Sequence, residues 1–184
     1  MEGWGRHAPD PHYLRKVFDK TERLIEDRWS IPVVIQDVPS PFTGDLDGEK
    51  IMVDFNLEVH EAVFILVHLF GHTVQWNLSE ANRAMAFAKP TEWTAEMLSK
   101  VVEYEQEACR YSLQIVHDAG FRDLDQWLSD FAACDSAYLM HFYKTGDKVP
   151  FRQFWKDDAP LMAPKAIPRF TPTRWITRYE GTVV

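Results

Sequence analysis

His68 and His72 stand four residues apart inside an apolar stretch, Glu61-Ala-Val-Phe-Ile-Leu-Val-His-Leu-Phe-Gly-His-Thr-Val-Gln-Trp76. On a helix that spacing puts both side chains on one face, one turn or roughly 6 Å apart along the axis. Two imidazoles so placed can close on one metal ion, as in the zinc-binding pattern His-Glu-x-x-His. Here Leu69 follows the first histidine, so the carboxylate that such helices use to take a proton from the attacking water is missing. The same spacing also suits two hydrogen-bonded core histidines.

An open zinc site takes three protein ligands, and the third commonly arrives from a second helix. The long helix expected after Thr91 offers Glu103, Glu105 and Glu107. Glu105 shares a face with Leu98, Val101, Ala108 and Ser112, whereas Glu107 points about 200° away at 100° per residue. Carboxylates are almost never buried without a partner, so an inward Glu105 opposite two inward histidines signals a metal or a hydrogen-bonded cluster. Trp76, one turn after His72, reads as a wall of the cleft or as core. His60 is two turns before His68, too far to share its ion, and reads as a surface or helix-start residue. Glu61, about 10 Å back along the helix, cannot easily replace the missing base.

Other elements must position these residues. Asp10-Pro11 is a helix start, and Leu14, Val17, Phe18, Thr21, Leu24, Ile25 and Trp29 recur at helical spacing up to Ser30. Residues before Asp10 read as a loose arm. Residues 31–38 and 50–55 read as strands with a polar turn over 43–48, so a small sheet precedes the histidine helix. A short helix over 80–88 leads to the long one, capped by Thr91 and closed by Gly120. His117-Asp118 near its end reads as a helix cap. Asp123 and Gln126 suggest a capping pair for a last helix over 124–143, ended by Gly146.

Five prolines from Pro150 to Pro172, interleaved with aromatic residues, forbid a long helix after Val149. Aromatic side chains so numerous are seldom left in water, so the tail is expected to lie on the domain. The chain thus divides into a domain over 1–148 and a tail over 149–184, with an α+β, mostly helical fold. Its 184 residues suffice for one good core, and 46% hydrophobic content excludes global disorder. The net charge of −8 and the lack of a basic run argue against nucleic acid. Residues 62–70 are too short to span a bilayer and the start lacks a signal-peptide pattern, so a soluble cytoplasmic protein is the expectation. Cys109 and Cys134 read as free buried thiols.

A helix, a small sheet, a helix carrying His68-Leu69-Phe70-Gly71-His72, and a later helix carrying Glu105-Gln106-Glu107-Ala108-Cys109 together resemble the ImmA/IrrE-like zinc metallopeptidases, a branch of the gluzincins. The likeness covers roughly residues 12 to 145 and implies zinc held by His68, His72 and Glu105. Gly71 matches a position where the family often has glycine, where the helix packs closely on its neighbours. Two positions depart from the pattern. The catalytic glutamate falls at Leu69, and the usual Asn or Asp after the Glu-x-x-Ala alanine falls at Cys109, which with Trp76 would surround the ligands. General-base catalysis contributes about 10²–10⁴-fold to rate. The resemblance therefore implies a degenerate, metal-binding copy with weak or no peptidase activity and a regulatory role or a protein or peptide partner. An active hydrolase taking its base from Asp135, His141 or Glu107 is the first alternative, and a metal-free scaffold is the second.

Overall fold

Asp10 caps the first helix, its carboxylate accepting from the His12 and Tyr13 amides at 2.8 and 3.2 Å, and Pro11 opens the first turn. This helix, α1 (Pro11–Trp29), buries Leu14, Val17, Phe18, Thr21 and Ile25 and stops at Ser30, which takes the left-handed conformation at φ 56°. In this computed structural model residues 3–40, 42–88 and 92–175 are described.

A three-stranded sheet follows in the order β1-β3-β2. β1 (Val33–Gln36) runs parallel to β3 (Ile51–Asp54), with Val33 opposite Ile51. β2 (Gly44–Leu46) runs antiparallel to β3, with Gly44 opposite Val53. β2 lies within the segment whose polarity suggests a turn. Three residues are too few to show alternation, and pairing with the fully buried β3 makes them a strand.

α2 (Val59–Leu78) is the centre of the fold, packed on α1, β2, β3 and two later helices, α3 and α4. Nearly every residue from Val63 to Trp76 is buried, as its apolar character on all sides requires. α3 (Glu80–Ala86) is capped by the Ser79 hydroxyl. α4 (Ala95–Asp118) is capped by Thr94, whose hydroxyl accepts from the Met97 amide; the expected cap, Thr91, lies outside the described residues. α5 (Asp125–Thr145) has no side-chain cap. Asp123 instead accepts the Tyr13 hydroxyl at 2.7 Å, and Gln126 donates to Asp130 and to the Ala159 carbonyl, so tertiary partners displace the expected pairing. Gly146, at φ 75°, ends α5. The fold is α+β, and the described residues are 56% helical, with five α-helices among them.

Two terminal segments close over this frame. Trp4 is 3% exposed, stacked on Phe131 at 4.9 Å with its indole N–H donated to Glu58, so the stretch before Asp10 is anchored rather than loose. Its aromatic surface outweighs the entropy of fixing a few residues. His60 accompanies it, half-buried, with a ring nitrogen 3.0 Å from the Pro9 carbonyl. Beyond Pro150 a single 3-10 turn, Phe151–Phe154, gives way to extended chain whose Trp155, Met162, Ile167, Phe170 and Trp175 pack against the core. No helix is long and apolar enough to cross a membrane among the described residues.

Candidate metal centre

Where α4 crosses α2 the contact is backbone on backbone. A Cβ on Gly71 would lie 2.8 Å from the Ala108 carbonyl carbon, and the Ser112 hydroxyl donates to the carbonyl of Val67 on α2 at 2.8 Å. Only glycine allows this approach. It brings Glu105, one turn before Ala108, to the histidine face. His68, His72 and Glu105 are 3%, 0% and 3% exposed.

The donor atoms converge. His68 Nε2 and His72 Nε2 are 3.0 Å apart, and Glu105 Oε2 lies 3.2 and 3.1 Å from them. An ion bonded at about 2.0–2.2 Å in tetrahedral geometry needs donors about 3.3–3.5 Å apart. The set is within a few tenths of an ångström of that spacing, and these three residues can hold a metal ion. The rings are braced as well. Phe64 stacks on His68 at 5.2 Å, Tyr104 on His72 at 4.6 Å, and the two imidazoles stand at 86° to each other.

Hydrogen bonding fixes which nitrogen of His72 faces inward. The Gln75 amide nitrogen donates to the Tyr104 carbonyl at 2.9 Å and to Glu107 at 2.7 Å, so both its protons are used. The Gln75 oxygen must then face His72 Nδ1, 2.9 Å away, and Nδ1 carries the proton. In its neutral form His72 therefore points the Nε2 lone pair at His68 and Glu105. Three electron-pair donors converging in a dry pocket require a shared proton or a cation between them. Burial disfavours the charge on Glu105, but His72 and His68 beside it prevail and hold its carboxyl far below the usual range.

Cys109 Sγ lies 3.5 Å from His68 Nδ1, and burial, opposed by His68, pushes its thiol up. Trp76 is fully buried and donates its indole N–H to the Tyr104 hydroxyl at 2.9 Å, so it supports the ring that stacks on His72. Leu69, 5% exposed, packs its methyl groups over β2, where a Cβ on Gly44 would come within 2.7 Å of Leu69 Cδ1. Of the candidate replacement bases, Glu107 is engaged by Gln75, Asn82 and Lys165, and His141 faces Phe154. Asp135 is different. Its Oδ2 sits 4.0 Å from His68 Nε2 with no hydrogen-bond partner among the described residues. Burial, opposed by His68 and reinforced by Glu105, pushes its carboxyl up to about 7. His117 is remote from this cluster, paired with Asp125 at 2.7 Å.

No protein-family model, curated protein or solved structure matches this chain.

Gln75 is the residue that spacing alone could have revealed, since it lies one turn after His72 on the helix that carries both histidines. The crossing at Gly71 also makes a prediction. Gly71→Ala gains helix propensity of about 0.8–1 kcal/mol. The added methyl group meets backbone that cannot rotate away, at a cost of about 1–3 kcal/mol. The expected result is a net loss of stability in chemical denaturation, together with weaker metal uptake because α4 is pushed off α2.

Proposed function

We propose that this chain is a degenerate zinc-metallopeptidase-like protein, in which His68, His72 and Glu105 hold a zinc ion and which has weak or no peptidase activity and a regulatory or partner-binding role. One observation carries the reading: three donor atoms 3.0–3.2 Å apart, with the His72 lone pair turned inward by Gln75. Two imidazole nitrogens and one carboxylate oxygen suit zinc better than magnesium or calcium, which prefer all-oxygen sites. The order of elements and the residues around Gly71 and Ala108 support kinship with the ImmA/IrrE-like peptidases. Bound there, zinc would supply Lewis acidity toward a carbonyl or a water. Leu69 offers no proton acceptor to exploit it, and its methyl groups pack on the sheet instead.

Metal analysis of protein purified without added zinc tests the ligand set. The expected content is one ion per chain, and a value well below that, unrestored by added zinc, would count against it. Broad peptide and ester panels test the loss of activity, with no turnover expected from the native chain. A second reading is favoured by Asp135, whose unpartnered oxygen stands beside His68. If Asp135 serves as the proton acceptor, the zinc-loaded protein turns over a substrate and Asp135→Asn abolishes that turnover without releasing the metal. Leu69→Glu separates the two readings further, because it should create activity only where the base is truly lacking.

A further inference from the structure

The tail does more than cover apolar surface. After the 3-10 turn its backbone groups hydrogen-bond first to α5 and then to α4. The Ala159 amide donates to Asp130 at 2.8 Å and the Met162 amide to the Ser129 hydroxyl at 3.0 Å. Arg110 Nε donates to the Ala163 carbonyl, and the Lys165 amide to the Arg110 carbonyl, both at 3.0 Å. The strap ends with the Lys165 ammonium on the Glu107 carboxylate.

Glu107 is the outer end of the chain of contacts that orients His72. Its Oε1 takes Lys165 and its Oε2 accepts from Gln75, whose oxygen in turn accepts from His72 Nδ1. A single line therefore runs from a cation on the tail, through a carboxylate and an amide, to the imidazole whose other nitrogen faces the three-donor cluster. We propose that residues 159–165 form a latch on the metal centre, in which Lys165, through Glu107 and Gln75, sets the form of His72 that accepts a metal.

This inference rests on the reading that His68, His72 and Glu105 bind zinc. Lys165 neutralises Glu107 and holds it against Gln75; without it the carboxylate, 30% exposed, can turn to water. The Gln75 amide then keeps only the Tyr104 carbonyl to fix its orientation, and the His72 tautomer is held less firmly. Outer-shell partners of this kind commonly govern metal affinity. The coupling is reciprocal: whatever the strap adds to zinc affinity, zinc adds to the docking of the strap.

Two measurements on the full chain test the latch. Zinc affinity, read by competition with a chromogenic chelator, should fall about 10–100-fold in Gln75→Leu. It should fall by about 5-fold or more in Lys165→Met, with Lys165→Arg retaining most of the native affinity. In the unmodified protein, zinc should slow hydrogen exchange at the Met162 and Lys165 amides by about 5-fold or more relative to the chelated form. Zinc bound at one per chain, with Lys165→Met within 2-fold of native and exchange at both amides unchanged, would overturn the latch and leave the metal site standing. Failure of the native chain to take up zinc overturns both. If Gln75→Leu does not fold, the solvent-facing Lys165→Met and the exchange data still decide.

Discussion

A chelator added to the zinc-loaded protein should lower its melting temperature by about 5–10 °C. Free zinc at 100 times its dissociation constant stabilises the native state by about 2.7 kcal/mol, and in a domain of this size each kcal/mol moves the midpoint by about 2–4 °C. The effect should be large because the ligands are buried and two of them sit on α2, which contacts both α1 and α4. It should also depend on pH. Burial disfavours the charged form of His68, but Cys109, Glu105 and Asp135 outweigh it and hold the imidazole above its ordinary value of 6.5. A raised folded-state pKa contributes stability that is complete below the unfolded value and is lost as pH rises through the folded one. Zinc requires the same nitrogen deprotonated, so proton and metal compete. The metal-free protein should therefore lose stability above about pH 6.5, while the zinc increment grows over the same range. Melting curves collected across that range, with zinc and with chelator, check both slopes. An increment of zero leaves the cluster as a metal-free polar core, and a flat one removes His68 from the ligand set.

Glu105→Gln should remove that increment entirely while leaving the chain folded. The substitution keeps the shape of the side chain and exchanges a charged acceptor for an amide that can donate to the inward lone pair of His72. Zinc affinity should fall by more than about 100-fold, beyond the usual range for outer-shell changes. In chelator near neutral pH the variant should melt below the native temperature, since losing the carboxylate leaves the buried His68 imidazolium 3.2 Å away without its partner. Isothermal titration with zinc and a melt in chelator measure the two parts. Tight zinc binding by Glu105→Gln would exclude Glu105 as a ligand, and with it the kinship argued from Glu-x-x-Ala. Collapse of the fold in chelator would instead show that Glu105 is needed as a hydrogen-bonding anion whether or not metal is present.

The contrast between Glu105 and Glu107 shows what helical periodicity conveys. Two residues apart, they face in different directions, and the inward stripe of α4 was enough to choose between them. Glu105 reaches both histidines and Glu107 does not, yet Glu107 takes part through Gln75, a role visible only when α2 and α4 are laid side by side. The same holds for β2 and for the capping of α5. A three-residue strand has no periodic signal of its own, and the atoms that Asp123 and Gln126 engage belong to Tyr13, Asp130 and Ala159. Trp4 met a pocket that composition could suggest but not locate.

By itself the sequence determined the helix that carries His68 and His72, the shared face they occupy, the inward side of Glu105 and the absence of a carboxylate at Leu69, because each depends only on local spacing at 3.6 residues per turn. Tertiary structure decided how deep the cluster lies, which nitrogen of His72 turns inward, that Asp135 stands beside His68, and that Lys165 reaches the chain of contacts behind the ligands. Those facts join groups 33, 32, 67 and 58 residues apart. Their distances follow from the angle and register at which α2, α4, α5 and the tail pack, and the backbone approach at Gly71 sets the crossing of α2 and α4.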